Sequence, residues 1–169
     1  MAQVIAFTAH GRPETKGSSR AFVIGGRARI INDNPRAKAW AAVVSLRARE
    51  AMRGRPPIEG PVNVSLDFYV ARPQGHYRTG RNGGTVKASA PRWPAVLPDL
   101  DKLARCAIDA LSKIVFVDDG AVVCLVARKL YAGGGIQPGV AVMVQAMPEL
   151  LTPPVWPGYR EDSTPPTVY

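Results

Sequence analysis

Five of the thirteen acidic residues of this chain lie close together in the sequence, between residues 99 and 119. They belong to three short segments, which read Pro98-Asp99-Leu100-Asp101, Asp109-Ala110-Leu111 and Asp118-Asp119-Gly120. Mg²⁺ prefers oxygen ligands and keeps several of its waters, so a few carboxylates are enough to bind it. Carboxylates grouped in this way are candidates for a metal site that assists phosphodiester hydrolysis.

The rest of the chain is strongly basic, with a formal net charge of +9 at pH 7. Residues 1–60 hold eleven Lys/Arg against four Asp/Glu, and residues 61–98 hold five against one. A basic surface of this kind attracts a polyanion such as nucleic acid. The acidic segment would repel the same polyanion unless a metal ion lay between them. The charge pattern therefore predicts a metal-dependent nuclease.

Each acidic group also has a purely structural interpretation. Asp99 or Asp101 can cap the N-terminus of a helix, although two aspartates so close together raise each other's pKa. The pair Asp118-Asp119 before a glycine is typical of a tight turn. Successive residues of a strand point to opposite faces, so only one of these two aspartates is expected to join a shared site.

Arg105 lies four residues after Asp101 and four before Asp109. This spacing fits an ordinary ladder of ion pairs along a helix. It equally fits an arginine placed beside the metal carboxylates, where its guanidinium would contact a phosphate oxygen.

Two loops carry candidate contacts to DNA. Lys16 and Arg20 lie in a basic Gly/Ser-rich loop and are candidates for backbone phosphates, with a solvated loop as the alternative. The long loop 72–95 contains His76 among tyrosine and arginine residues, and it is expected to contact phosphates or bases. Trp93 in the same loop is expected to anchor the loop or the core rather than to stack on a base.

Hydrophobic patterning predicts two helices, one from Asn34 to about Met52 and one from Asp99 or Asp101 to about Lys113. It predicts strands at 4–9, 62–70, 114–117, 121–130 and 140–144, and a hairpin of 22–24 with 28–31. The expected fold is α+β: a single domain in which a mixed sheet carries the two main helices on one face.

The chain is expected to form one nuclease domain over residues 1–147, followed by a Pro-rich and flexible tail over 148–169. No apolar run approaches the roughly 18 residues that a membrane span needs. Cys106 and Cys124 lack metal-ligand spacing and are expected to be buried, reduced thiols of a cytoplasmic protein.

Taken together, these segments resemble the RusA family of Holliday junction resolvases, which occurs in bacteria, prophages and phages. The resemblance runs from about Phe7 to Tyr131 and follows the family order. Its pieces are Gly11-Arg12-Pro13 with Lys16-Gly17, Lys38-Ala39-Trp40, Gly60-Pro61-Val62, Arg72-Pro73 with His76-Tyr77, Pro98-Asp99-Leu100-Asp101-Lys102-Leu103, Asp109-Ala110-Leu111, Val117-Asp118-Asp119, and Lys129 before Tyr131.

The resemblance implies a homodimeric, Mg²⁺-dependent endonuclease, with Mn²⁺ as a possible substitute, that nicks four-way junctions symmetrically in DNA recombination and repair. It implies no membrane and no small-molecule cofactor. The implied metal carboxylates are Asp99, Asp101 and Asp119, with Asp118 in support and Arg105 as a further catalytic residue. The expected DNA contacts are Lys16, Arg20, His76, Arg78, Arg81, Lys102 and Lys129.

The chain departs from the family pattern at two positions. Lysine is more usual where this chain has Arg105, and asparagine is more usual where it has Lys102. Two other functions remain open: a nuclease for flaps or forks, and a branched-DNA-binding protein that does not cleave. The second is disfavoured because a protein that only binds DNA has no use for carboxylates facing phosphate.

Overall fold

A computed structural model of the chain describes the backbone of residues 3–16, 19–24, 27–32 and 34–147, and the side chains of residues 3–16, 34 and 36–147. The tail 148–169 and the Gly25-Gly26 turn of the expected hairpin lie outside the described residues. In chain order the main elements are β1 (Val4–His10), β2 (Ser19–Ile24), β3 (Arg27–Asn32), α1 (Pro35–Met52), β4 (Val62–Val70), α2 (Leu100–Leu111), β5 (Val122–Tyr131) and β6 (Gly139–Ala146).

Four strands form one mixed sheet in the order β1-β6-β4-β5. Strand β6 runs antiparallel to both β1 and β4, whereas β4 and β5 are parallel. A parallel pair needs a crossover connection, and here the connection contains α2. Strands β2 and β3 pair separately as a hairpin.

The helices begin where the sequence predicts. The Asn34 side-chain oxygen accepts the backbone N–H of Arg36 at 3.1 Å, and Pro35 occupies the first turn of α1. Helix α1 ends at Met52, and the capping residue Arg53 adopts a left-handed conformation. Helix α2 begins directly after Asp99 and presents one strongly apolar side.

Both helices pack on the same face of the sheet. One set of alternate β4 residues is fully buried, as the clean alternation of this strand predicts. These residues form a single core with both helices, made up of Val62, Val64, Leu66 and Phe68 from β4, Trp40, Val44 and Ala48 from α1, and Leu103, Ala107 and Leu111 from α2. The predicted α+β architecture is thereby confirmed.

The predicted strand at 114–117 is wrong. Helix α2 ends at Leu111 rather than at Lys113, and Lys113 adopts a left-handed conformation with φ 64°. The chain then turns back, and the N–H of Ile58 donates to the carbonyl of Val115 at 2.8 Å. Val115 and Phe116 are fully buried. These residues are therefore apolar because they close one end of the core, and not because they form a strand.

Two further expectations are corrected. Cys106 is buried, and burial together with the nearby Asp109 carboxylate raises its pKa to about 11, but Cys124 is exposed on β5. Trp93 is 56% exposed, so it does not anchor the core, and the guanidinium of Arg92 in the same loop lies 5.6 Å from its ring centroid. Within the described part of the chain, neither helix has the length and apolarity to cross a membrane.

Candidate active site

The first two aspartates of the acidic segment lie at the N-terminus of α2. Asp99 directly precedes the helix and Asp101 lies in its first turn, where the positive end of the helix dipole favours anionic groups. The Asp99 side chain makes no capping hydrogen bond, so helix capping does not account for it. Its carboxylate lies 3.0 Å from Nζ of Lys102 and remains 42% exposed.

The second aspartate pair precedes β5. The Gly120 N–H donates to Oδ1 of Asp118 at 2.9 Å, and this bond, with a further contribution from the Asp119 side chain, lowers the pKa of the Asp118 carboxyl. Asp118 therefore shapes the turn. Asp119 begins the short 3₁₀ helix Asp119–Ala121 and is exposed. Both aspartates are exposed, and the expectation that only one of them joins a metal site stays a prediction.

The two groups of aspartates lie at opposite ends of the segment formed by helix α2 and the turn that follows it. Helix α2 has 12 residues, which corresponds to a length of about 18 Å. Asp99 precedes its first residue, whereas Asp119 follows the turn after its last. Strand β5 then runs back from Val122 to Lys129, whose Nζ bonds the carbonyl of Pro98 beside Asp99. That return spans about 23 Å of extended chain.

One chain therefore does not bring the predicted metal ligands together. Among the described residues, no three His, Cys, Asp or Glu side chains form a group that could hold a metal ion. Asp99 and Asp101 share one helical turn, but Asp119 lies far from both. The grouping of all three in one metal site stays a prediction.

The predicted ladder along α2 is not formed. Within the described part of the chain, no ion pair joins Arg105 to Asp101 or to Asp109. Asp109 instead pairs with Lys16, whose backbone N–H also donates to the carbonyl of Lys102 at 3.3 Å. Arg105 is exposed one helical turn after Asp101, on the same side of α2. It is thus available to contact a phosphate next to Asp99 and Asp101.

The other predicted DNA contacts differ in their surroundings. Arg78 and Arg81 are exposed on the long loop, whereas the Arg20 side chain lies outside the described residues. His76 is half-buried, with its ring edge-on to Tyr131 at a centroid distance of 5.5 Å. The guanidinium of Arg72 lies 4.1 Å from the same Tyr131 ring centroid. His76 and Arg72 therefore both contact the Tyr131 ring, His76 edge-on and Arg72 through its guanidinium.

Lys129 has a structural contact that the sequence did not indicate. Its Nζ donates to the carbonyl of Val96 at 2.5 Å and to that of Pro98 at 2.7 Å. The ammonium group thus ties β5 to the segment that leads into Asp99. Lysine spacing alone cannot reveal such a contact, because both acceptors are backbone atoms distant in sequence.

The sequence also did not indicate that the outer edge of β5 is free. In the sheet of described residues, β5 pairs only with β4, so its other edge has no partner. Val123, Leu125 and Val126 are 61%, 44% and 48% exposed, and no charged residue occurs before Arg128. An uninterrupted apolar run usually marks a strand covered on both faces. Among the described residues, this run therefore leaves an uncovered apolar edge on the sheet.

Comparison with known proteins adds an independent finding. The model of one protein family, described as Endodeoxyribonuclease RusA, matches residues 10–145. A comparison with curated proteins gave no significant match. The matched range contains both helices, all four aspartates at the ends of α2, and β4 and β5. The chain therefore belongs to the RusA family of Holliday junction resolvases, and it is an endodeoxyribonuclease that hydrolyses phosphodiester bonds in DNA.

Proposed function

We propose that this enzyme is a Mg²⁺-dependent homodimer that resolves four-way DNA junctions by paired, symmetric nicks. The observation that carries the proposal is the position of Asp99 and Asp101 on the first turn of α2, with Arg105 exposed one turn later. Asp101 and Arg105 share one side of the helix, and Asp99 directly precedes it. Two carboxylates and a cation at the start of a helix suit a site that binds both a metal ion and a phosphate. The basic surface around them suits a highly charged substrate.

The separation of Asp119 from this pair supports a shared site between two chains. Suppose that two copies of β5 pair antiparallel through their free edges, about a two-fold axis near Cys124 or Leu125. Asp119 then lies opposite the partner's Lys129 or the partner's Tyr131. In each chain Lys129 contacts the backbone beside Asp99. The pairing therefore carries Asp119 of each chain towards the Asp99 and Asp101 of the other.

The edge of β5 is suited to this role. Its apolar run would leave water on pairing, and its unpaired backbone groups would gain hydrogen-bond partners. Two chains of net charge +9 repel each other over most of their surfaces, but the run from Val122 to Ala127 carries no charge. Arg128 is held within its own chain by a bidentate pair with Asp67, at 2.7 and 2.6 Å.

The carboxylates fit a divalent metal ion when the site is assembled in this way. Asp99 and Asp101 of one chain and Asp119 of its partner would hold the ion through oxygen ligands, as Mg²⁺ prefers. The bound metal lowers the pKa of water and neutralises charge on the phosphate. Arg105 stabilises the developing negative charge, and Asp118 holds the turn that presents Asp119.

The DNA is held by the basic residues around this site. Lys16, Arg20, Arg78 and Arg81 contact backbone phosphates, and His76 contacts the DNA from its edge-on position at Tyr131. Lys102 lies 3.0 Å from Asp99 and would contact the phosphate if a metal ion took its place at that carboxylate. Two active sites related by a two-fold axis match the symmetry of a four-way junction, so each subunit nicks one of two opposing strands.

Cleavage of a synthetic four-way junction tests the proposal, with Asp101→Asn as the matched variant. The native enzyme is expected to make paired nicks only with Mg²⁺ or Mn²⁺. The variant is expected to bind the junction normally but cleave it about a hundredfold or more slowly. Preferred cleavage of flaps or forks would identify those structures, and not four-way junctions, as the substrate. Binding without cleavage in either metal would leave a DNA-binding protein.

Cys124 reports directly on the proposed pairing of β5. A two-fold axis at Cys124 or Leu125 places the two Cys124 residues directly opposite or on a diagonal, about 5 to 8 Å apart. A short bismaleimide is therefore expected to link two native chains into a covalent dimer on a denaturing gel. Cys124→Ser should abolish the link, because Cys106 is buried. A native enzyme that stays uncrosslinked while dimeric would place the interface elsewhere.

Lys129 is expected to position the metal carboxylates rather than to bind DNA. In Lys129→Met the Val96 and Pro98 carbonyls lose their donor, and the segment before Asp99 loosens. We expect the Mg²⁺ concentration for half-maximal cleavage to rise about tenfold or more, with partial rescue in Lys129→Arg. The control is Lys87→Met, which removes a lysine bonded to the Gly75 carbonyl. Lys129→Met and this control should have the same junction affinity and the same salt dependence of binding. A weaker salt dependence in Lys129→Met alone would indicate a phosphate contact instead.

A further inference from the structure

A cavity of about 720 Å³ opens beside the N-terminus of α2. Val70 and Tyr131, the last residues of β4 and β5, line one side of it, and the segment leading into Asp99 lines another. Its walls are mainly apolar and include five prolines, namely Pro13, Pro73, Pro94, Pro98 and Pro138. Pockets of about 300 to 1,000 Å³ typically hold one small organic molecule, so the cavity has room for a single nucleoside.

The cavity is continuous with the proposed metal and phosphate site, because Asp99 and Lys102 belong to both. Next to these two charged residues, Val96 and Leu97 are 62% and 79% exposed. Large aliphatic side chains beside a phosphate site gain nothing from the phosphate itself. They suit a flat, uncharged group attached to that phosphate, and in DNA this group is the base of the same or the adjoining nucleotide.

The polar residues of the cavity are of the types that read base edges. Arg12 and Glu14 form an ion pair at 3.5 Å, and Glu14 also accepts a hydrogen bond from Asn34 at 3.0 Å. Gln137 lies on the wall as well. Arginine, glutamine and glutamate side chains can each form hydrogen bonds to particular base edges. An apolar slot with a few such groups can therefore both hold a base and discriminate between bases.

We propose that this cavity binds one unpaired nucleobase, extruded from the DNA next to the phosphate that is cleaved. The proposal rests on the proposed function, since it takes the scissile phosphate to lie at Asp99 and Asp101. A base in a continuous duplex must be unstacked and unpaired before it can enter a pocket, and this costs least where pairing is already interrupted. The branch point of a junction supplies such a base. Occupation of the cavity would thus couple cleavage to the branch and favour particular bases there.

The test uses four-way junctions in which single nucleotides flanking the cut are replaced by abasic sites. The native enzyme is expected to lose about fivefold to a hundredfold in kcat/KM at one of these positions, the value of one base stacked on protein. Ala71→Trp, which fills the cavity from its exposed rim, should lose a similar factor on the intact junction. On the abasic junction, the kcat/KM of Ala71→Trp should be no lower than that of the native enzyme. Ala42→Trp, on the exposed side of α1 and outside the cavity lining, is the matched control and should behave as native.

Several results would overturn the proposal while leaving the proposed function standing. Equal cleavage of intact and abasic junctions by the native enzyme would show that no base is bound. Native activity in Ala71→Trp, or a loss in this variant that adds fully to the abasic effect, would show that the base is not in the cavity. Thermal unfolding of both tryptophan variants close to that of the native enzyme excludes a folding defect. Failure of the native enzyme to cleave any junction would instead count against the proposed function.

Discussion

A mixture of two inactive variants, Asp101→Asn and Asp119→Asn, is expected to regain cleavage. If Asp119 of one chain completes the site of the other, a mixed dimer contains one site with both substitutions and one site with neither. Random assortment from equal amounts makes half of the dimers mixed, so about a quarter of all sites are native. These dimers have a single working site, so they should nick a cruciform plasmid to open circles rather than cut it to linear DNA.

A second mixture provides the control for this experiment. Asp99→Asn with Asp101→Asn places both substitutions in the half of the site that α2 supplies. Each mixed dimer then has one defect in each site, and activity should stay at the level of the single variants. Restored cleavage in this control would show that mixing restores activity without a shared site, and the result of the first mixture would then not support one. No restoration in the first mixture would place Asp101 and Asp119 in the same chain's site and refute the shared arrangement.

A lysine on the free edge of β5 is expected to abolish dimerisation and cleavage together. Val126 is 48% exposed, so Val126→Lys should fold normally as a monomer. In the proposed dimer the substitution places an unpaired lysine of each chain in an apolar interface, and desolvating such a charge costs several kcal/mol. That cost corresponds to a loss of about a hundredfold or more in dimer affinity. Sedimentation and junction cleavage measure the two effects.

Met143→Lys is the matched control for this prediction. Met143 on β6 and Val126 on β5 both pair with Ser65, so they lie on the same face of the sheet on either side of β4. Met143 is 42% exposed, but it lies away from the free edge. Met143→Lys should stay dimeric and active. A dimeric and active Val126→Lys enzyme would exclude β5 as the interface, and loss of dimer in both variants would move the interface to the sheet face.

Much of the fold follows from local patterns in the sequence. The alternation over Val62–Val70 predicts a strand with one buried face, and Asn34-Pro35 predicts the start of α1. The 114–117 segment was mispredicted because four apolar residues are too few to distinguish a strand from a buried turn. Burial of Val115 and Phe116 is decided by tertiary packing against Ile58, which lies far away in the sequence.

The candidate site was predictable in its residue types but not in its arrangement. Spacing and charge single out the aspartates, and the helix signals place Asp99 and Asp101 at the start of α2. Whether Asp119 joins them depends on the direction of β5 and the length of α2, which no local pattern contains. The exposure of Cys124 was missed for a related reason. An apolar strand looks the same in sequence whether its cover comes from its own chain or from another molecule.

The location of the aspartates at the two ends of α2 has a consequence for the cell. If a complete carboxylate set exists only in the dimer, a newly made or highly diluted chain cannot cut DNA at all. Cleavage then increases with the square of chain concentration until dimers predominate. A nuclease built in this way stays harmless while scarce and becomes active only once its synthesis exceeds a threshold, without an inhibitor or a processing step.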